Sequence, residues 1–173
     1  MKGGDGMEIK EYFSRVRGGD KEAFKYIYNE LKTPVFTIAC RIVQSREVAE
    51  DITHDVFVKL FASPPEPTVR NPRAWVFQMT RNLSIDALRA KQSVNLDDVQ
   101  QPAEDALAGI ITRMDVETAI GKLPCDEREI LSLHLNGSLG FSQIARIVGL
   151  SLPATYRKYR KAITALREYL GGT

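Results

Sequence analysis

Apolar residues recur along most of this chain at intervals of three and four, which puts them on one side of an α-helix. Ala23, Phe24, Ile27, Tyr28 and Leu31 keep that spacing, and Asp20 stands where it can cap the helix they predict over residues 21–31. Pro34 suits the start of a second helix, predicted over 35–43. Ser45 can cap a third over 46–61, with Val48, Ala49, Ile52, Val56, Phe57 and Leu60 as its stripe. Glu47, Glu50, Asp51, His54 and Asp55 lie off that stripe. Ser63-Pro64-Pro65-Glu66-Pro67 cannot continue a helix. The next helix is predicted from Asn71-Pro72 to Ala90. On it Trp75, Val76, Met79, Leu83 and Ala87 share one arc, and Gln78, Arg81, Asn82 and Arg89 another. Phe77, Ile85 and Leu88 interrupt the polar arc, so this helix is expected to touch protein on more than one side.

Periodicity fades over residues 92–109, which read as a linker and a domain boundary. Helices are predicted again over 111–123, 126–136, 142–148 and 152–170, with Pro124 and Gly137-Ser138-Leu139-Gly140 as breaks. No segment alternates strictly, so the fold class is all-α. The last two helices form the sharpest local pattern. Gly149 supplies the left-handed residue that ends the first of them, and Leu150 plugs the gap between the two. Ser151 caps the second, and Pro153 is tolerated in its first turn. Thr155, Tyr159, Ala162 and Leu166 then point inward, while Tyr156, Arg157, Arg160 and Lys161 point out. A basic outer face on a helix-turn-helix suits a DNA major groove, although such units also serve purely for packing.

Charge changes the picture through its distribution, since the net charge is only +2. From residue 143 onward the bases are Arg146, Arg157, Lys158, Arg160, Lys161 and Arg167, with Glu168 as the one acid. Arg70, Arg73, Arg81, Arg89 and Lys91 make a second basic stretch. Between them lie Asp97, Asp98, Glu104 and Asp105, and 47–55 is acidic as well. This layout fits two polyanion-binding surfaces; charge alone fits two solvated helix faces equally well. Hydrophobic residues at 43% exclude the disordered class. The longest apolar runs fall far short of a membrane span, and the start shows no secretory leader. Cys40 and Cys125 read as buried free thiols of a reducing cytosol. His54-Asp55 lacks the upstream histidine a metal site would need, and His134 is the only other histidine. No nucleophile–base pair, phosphate loop or metal cluster stands out, so an enzyme is not expected and no cofactor is implied.

Several ordered stretches resemble a known family. They are Gly19-Asp20-Lys21-Glu22-Ala23-Phe24, then Ala49-Glu50-Asp51-Ile52-Thr53-His54-Asp55-Val56-Phe57, and Asn71-Pro72-Arg73-Ala74-Trp75 continuing to Arg81-Asn82 and Asp86. Leu123-Pro124 with Glu127-Arg128-Glu129-Ile130-Leu131 follows, and then Ile144-Ala145 leading to Gly149-Leu150-Ser151. Together they resemble a sigma-70 superfamily RNA polymerase sigma factor of the extracytoplasmic-function (group 4) type, over residues 14–170.

The resemblance implies a region 2 helical bundle over 1–91, a flexible acidic linker over 92–111 and a region 4 helix-turn-helix domain over 112–173. It implies core RNA polymerase, through its β′ clamp helices and β flap, and promoter DNA as partners, and in many relatives an anti-sigma protein, all in the cytoplasm. Asp51, His54, Asp55 and Lys59 would meet polymerase, with His54 in place of the usual glutamine. Arg70, Gln78, Arg81, Asn82 and Arg89 would hold the −10 element, with a base captured from the opened strand. Trp75 could stack on a base, though its arc favours the core, and Asp86 is expected on the buried side, paired with an arginine or capping a loop. The acidic linker would imitate RNA in the polymerase cleft. Leu152, Ala154, Tyr156, Arg157, Lys158, Arg160 and Lys161 would read the −35 element. Leu152 and Pro153 replace the usual Glu-Gly, and Ile163 replaces a base, so the DNA sequence read is expected to differ. A helix-turn-helix regulator acting without polymerase, and a degenerate sigma-like module that sequesters a partner, remain as alternatives.

Overall fold

A computed structural model describes residues 8–94 and 113–171. The linker acids Asp97, Asp98, Glu104 and Asp105 lie outside the described residues. All regular structure among the described residues is helical: α1 Ile9–Arg17, α2 Lys21–Val43, α3 Arg46–Ala62 and α4 Pro72–Val94 in the first half, then α5 Arg113–Gly121, α6 Cys125–Leu135, α7 Phe141–Val148 and α8 Leu152–Gly171.

The helix starts follow the expected caps. The Asp20 carboxylate accepts from the amides of Glu22 and Ala23 at 3.0 Å. Those bonds, with the Arg15 guanidinium 2.7 Å away, hold its pKa below the usual value. Asn71 accepts from the Ala74 amide at 3.0 Å, Ser45 from Val48 at 3.4 Å, and Ser151 from Ala154 at 3.3 Å. Gly149 ends α7 at φ 71°, the left-handed conformation the tight turn demands.

Five details differ from the sequence reading. Pro34 does not begin a helix; it lies inside the continuous α2. Leu31, Val35 and Ile38 are fully buried on the same stripe across it. Their burial contributes about 2 kcal/mol each, which together exceeds the cost of about 3 kcal/mol for an internal proline. Helix α1 was not foreseen, yet Phe13 and Val16 are buried at i, i+3 spacing. Helix α4 runs to Val94, past the expected linker start at 92. Asp86 is exposed rather than buried, because it shares the outer surface with Arg89, its partner at 3.7 Å. Of the two free thiols, Cys40 is half-buried, but Cys125 is exposed at the first position of α6.

The core is shared. One apolar cluster runs from Phe13, Ile27, Leu31, Leu60 and Phe77 in the first half into Ile130, Leu133, Leu139, Ile144 and Ile147 in the second. A smaller cluster of Ala119, Ile120, Leu123, Leu131, Ala162 and Leu166 ties α5, α6 and α8 together. Helix α6 lies between the two clusters, and every residue from Glu127 to Leu133 is buried. Phe77, expected to touch protein off the main arc, packs beside Gly137 of the second half.

Candidate polymerase and nucleic-acid interfaces

Three exposed faces carry the residues singled out from the sequence. On α3, Asp51, His54, Asp55 and Lys59 are all exposed, opposite the buried Ala49, Ile52, Val56 and Leu60. The same helix exposes Val58 and Phe61, at 51% and 58%, which the sequence reading passed over. Their signal was present, since both are apolar yet fall outside the inward stripe. Phe61 meets Phe24 edge-on with ring centres 5.0 Å apart, and Tyr28 tilts onto Phe57 at 4.7 Å. The face therefore grades from an acidic start to an aromatic end.

On α4, Gln78, Asn82 and Arg89 are exposed at positions that share one side. Trp75 is half-buried against the core. Arg70 is exposed just ahead of the helix. It lines a shallow hollow with Tyr26, Glu30 and Arg73. Arg81 does not join this group. Its side chain, 23% exposed, pairs with the Glu129 carboxylate of α6, which is 4% exposed. Burial pushes the Glu129 pKa up, and the Arg81 guanidinium opposes that shift. Nothing in the spacing pointed to Glu129, because a glutamate's partner across the fold leaves no periodic trace.

On α8, Thr155, Ala162 and Leu166 are buried and Tyr159 is half-buried, as the inner stripe requires. Leu152, Tyr156, Arg157 and Arg160 are exposed, and Ala154 is half-buried in the first turn. Pro153, Tyr156, Arg157, Arg160, Lys161 and Thr164 line a shallow groove along the helix. Lys158 and Lys161 are engaged within the chain. Lys158 bonds the Asp126 carboxylate, and Lys161 lies 3.1 Å from Glu127. The Lys158 hydrogen bond holds the Asp126 pKa down. Among the described residues Arg157 and Arg160 form no ion pair. Tyr156 sits edge-on to Phe141 at 5.3 Å, so its ring is braced beside them.

An acidic helix face, a polar helix beside a proline-rich loop, and a helix-turn-helix with two arginines that form no ion pair among the described residues thus share one all-α chain. Comparison with known proteins agrees. The family model for Sigma-70 region 2 matches residues 27–94. The chain is 23% identical to the ECF RNA polymerase sigma factor SigK of Mycobacterium ulcerans over 176 residues, covering 94% of each chain. It is 24% identical to SigK of Mycobacterium tuberculosis, again over 94% of both. Among solved structures it resembles the sigma factor RpoE bound to the anti-sigma factor NepR from Bartonella quintana, with TM-score 0.70 and 22% identity, covering 86% of this chain and 96% of that one. It also resembles CnrH in complex with the cytosolic domain of CnrY, with TM-score 0.66 and 19% identity, covering 94% and 97%. The chain thus carries a match to Sigma-70 region 2 over residues 27–94 and is similar over nearly its whole length to sigma factors of the extracytoplasmic-function type.

Proposed function

We propose that this chain joins core RNA polymerase and selects promoters through two DNA-reading surfaces, one in each half. Residues 1–91 act as the region 2 domain and 112–173 as region 4, with 92–111 between them. The exposed α3 face, from Asp51 through His54 and Asp55 to Lys59, docks on the polymerase clamp helices, since a charged surface gives such docking its speed and specificity. Val58 and Phe61 extend that contact with apolar area.

Gln78 and Asn82 hydrogen-bond base edges of the opened −10 strand, and Arg70 and Arg89 hold its phosphates. Arg81 joins them only when it leaves Glu129. A base taken out of the duplex stack costs a few kcal/mol, which these contacts offset. On α8, Arg157 and Arg160 contact the −35 duplex, while Leu152 and Ala154 offer apolar contact to thymine methyl groups. Tyr156 packs against the backbone there. Lys158 and Lys161 reach phosphates at the cost of their bonds to Asp126 and Glu127. The polymerase supplies the catalysis. An anti-sigma protein is a fitting regulator, since the RpoE neighbour was solved with one.

The observation that carries this reading is the coexistence of all three exposed faces in a chain that aligns end to end with sigma factors. Run-off transcription with bacterial core polymerase and fragmented genomic DNA tests it. Discrete starts sharing upstream motifs are expected. Stable binding to core without transcripts would replace it with a sequestering module. Failure to bind core would leave a DNA-binding regulator.

A further inference from the structure

The inner side of α8 carries little that fixes the rotation of the helix about its own axis. Thr155 and Ala162 are fully buried but small, and the Thr155 hydroxyl donates to the Ser151 carbonyl at 3.0 Å, within its own helix region. Leu166 is buried beyond the stretch that carries Arg157 and Arg160. Lys158 and Lys161 tie α8 to α6 through long, flexible stems. On DNA, by the reading above, both leave those acids for phosphates. What remains is a group of four rings contributed by α6, α7 and α8.

Phe141, the first residue of α7, meets Tyr156 edge-on at 5.3 Å and Tyr159 at 5.0 Å. Those tyrosines stand three positions apart, on neighbouring ridges of α8. One ring packed against both resists rotation in either direction, since such ring pairs are directional. The His134 imidazole, near the end of α6, lies almost flat against Phe141, with ring centres 4.6 Å apart and 18° between the planes. It also meets Tyr159 edge-on at 5.0 Å. Its own plane is fixed by Nδ1, which donates to the Leu139 carbonyl at 3.0 Å. The turn after α6 brings that carbonyl back over the helix end. The Leu139 amide donates to the Leu133 carbonyl at 3.3 Å, and Ser138 takes φ 53°. A Cβ on Gly137 would stand 2.5 Å from the same Leu133 oxygen, so only glycine fits there.

Rotation matters because side chains act as levers. Those of a helix reach about 5 Å from its axis, so a turn of about 10° moves their ends by about 1 Å. Paired hydrogen bonds to a base edge need placement within about 0.5 Å. Attraction to phosphates is sequence-blind and far more tolerant. We infer that His134 is a positioning residue for sequence reading: through Phe141 and Tyr159 it sets the rotation of α8, and with it where Arg157 and Arg160 meet base edges. This rests on the reading of α8 as the helix that meets the −35 duplex. His134 itself stays off the DNA and acts through the rings. Loss of the stack therefore blurs base contacts and spares phosphate contacts, which divides specificity from affinity.

The test offers a pool of random-sequence duplexes to the full chain on bacterial core polymerase and sequences the bound fraction. Affinity is then measured for the enriched motif, intact and with its upstream element shuffled. His134→Leu is expected to cut the preference for the intact motif about tenfold, the discrimination of one bidentate base contact. Affinity for the shuffled duplex and the salt slope should stay at wild-type values. Phe141→Leu, which frees both tyrosines, should do the same. His134→Phe keeps a flat ring against Phe141 and should hold the preference within about twofold of wild type. Both His134 variants lose the bond to Leu139, so a split between them reads the ring stack and not stability. Full preference in His134→Leu, or an equal loss in His134→Phe, overturns the positioning role. So does a matching fall on the shuffled duplex, which means a lost fold. A wild-type chain that enriches no upstream element overturns the reading of α8 as well, which tells that failure apart from this one.

Discussion

Helices α3 and α6 carry similar charge and use it in opposite ways. On α3, Asp51, His54, Asp55 and Lys59 all face solvent. On α6, Glu127, Arg128 and Glu129 are buried, and each has a partner within the chain. Glu127 has Lys161, Glu129 has Arg81, and Arg128 donates to the carbonyls of Arg41, Gly121 and Leu123. A buried charge without such partners would be costly, so the α6 set is spent on the fold. The α3 set has no such internal demand and is available to another molecule. Charge in a sequence therefore marks a surface only after its internal partners are subtracted.

The strongest challenge to that contrast is Arg128→Ala. It strips three backbone carbonyls of their donor and should cost about 3 kcal/mol in denaturant unfolding. A loss under about 1 kcal/mol, within the range of surface changes, would erase the distinction between the helices. Arg157→Ala with Arg160→Ala asks whether the exposed cations of α8 are equally outward in purpose. The pair should weaken promoter binding roughly sixtyfold at 0.1 M salt and reduce the salt slope by about 1.8, with unchanged stability. Wild-type slopes in filter binding would count against it.

Asp51→Ala with Asp55→Ala sharpens the α3 side. Affinity for core polymerase should fall about tenfold, while the unfolding midpoint stays within the scatter of surface substitutions. The smallest effect belongs to Asp126, whose pKa Lys158 holds down. A carboxylate with a lowered folded pKa adds stability above its unfolded value of 3.8, and that share is lost as pH falls through the folded value. Asp126→Asn should therefore be less stable than wild type at pH 7, by under about 1 kcal/mol for so exposed a pair. The two should converge in acid, as urea unfolding from pH 7 to pH 2 would show.

What could be read from the sequence was local. The turn at Gly149-Leu150-Ser151, the caps at Asp20, Ser45 and Asn71, and the exposed α3 face all follow from residues within a turn or two of one another. Pro34 was misread because its local cost is visible in the sequence, while the burial of Leu31, Val35 and Ile38 that overrides it belongs to the packed bundle. The same limit applies to Arg81, Lys158 and Lys161. All three are basic residues on helices expected to meet DNA, and all three are held by acids of α6 that lie 32 to 48 positions away in the chain. Phe77, one of three apolar residues that interrupt the polar arc of α4, was the trace the contact between halves left in the sequence.

That contact joins two parts of one polypeptide, which sets its thermodynamics apart from those of a complex. A covalently tethered partner is present at an effective concentration set by the tether and not by the amount of protein. The tether therefore adds to what Phe77, Arg41, Arg81 and the apolar cluster shared by both halves already contribute. A contact within one chain is also independent of how many copies a cell contains. Dilution, which dissolves a regulator from its target, leaves this equilibrium untouched. It shifts only when something binds the separated halves more tightly than the joined ones, and by no more than that difference in affinity.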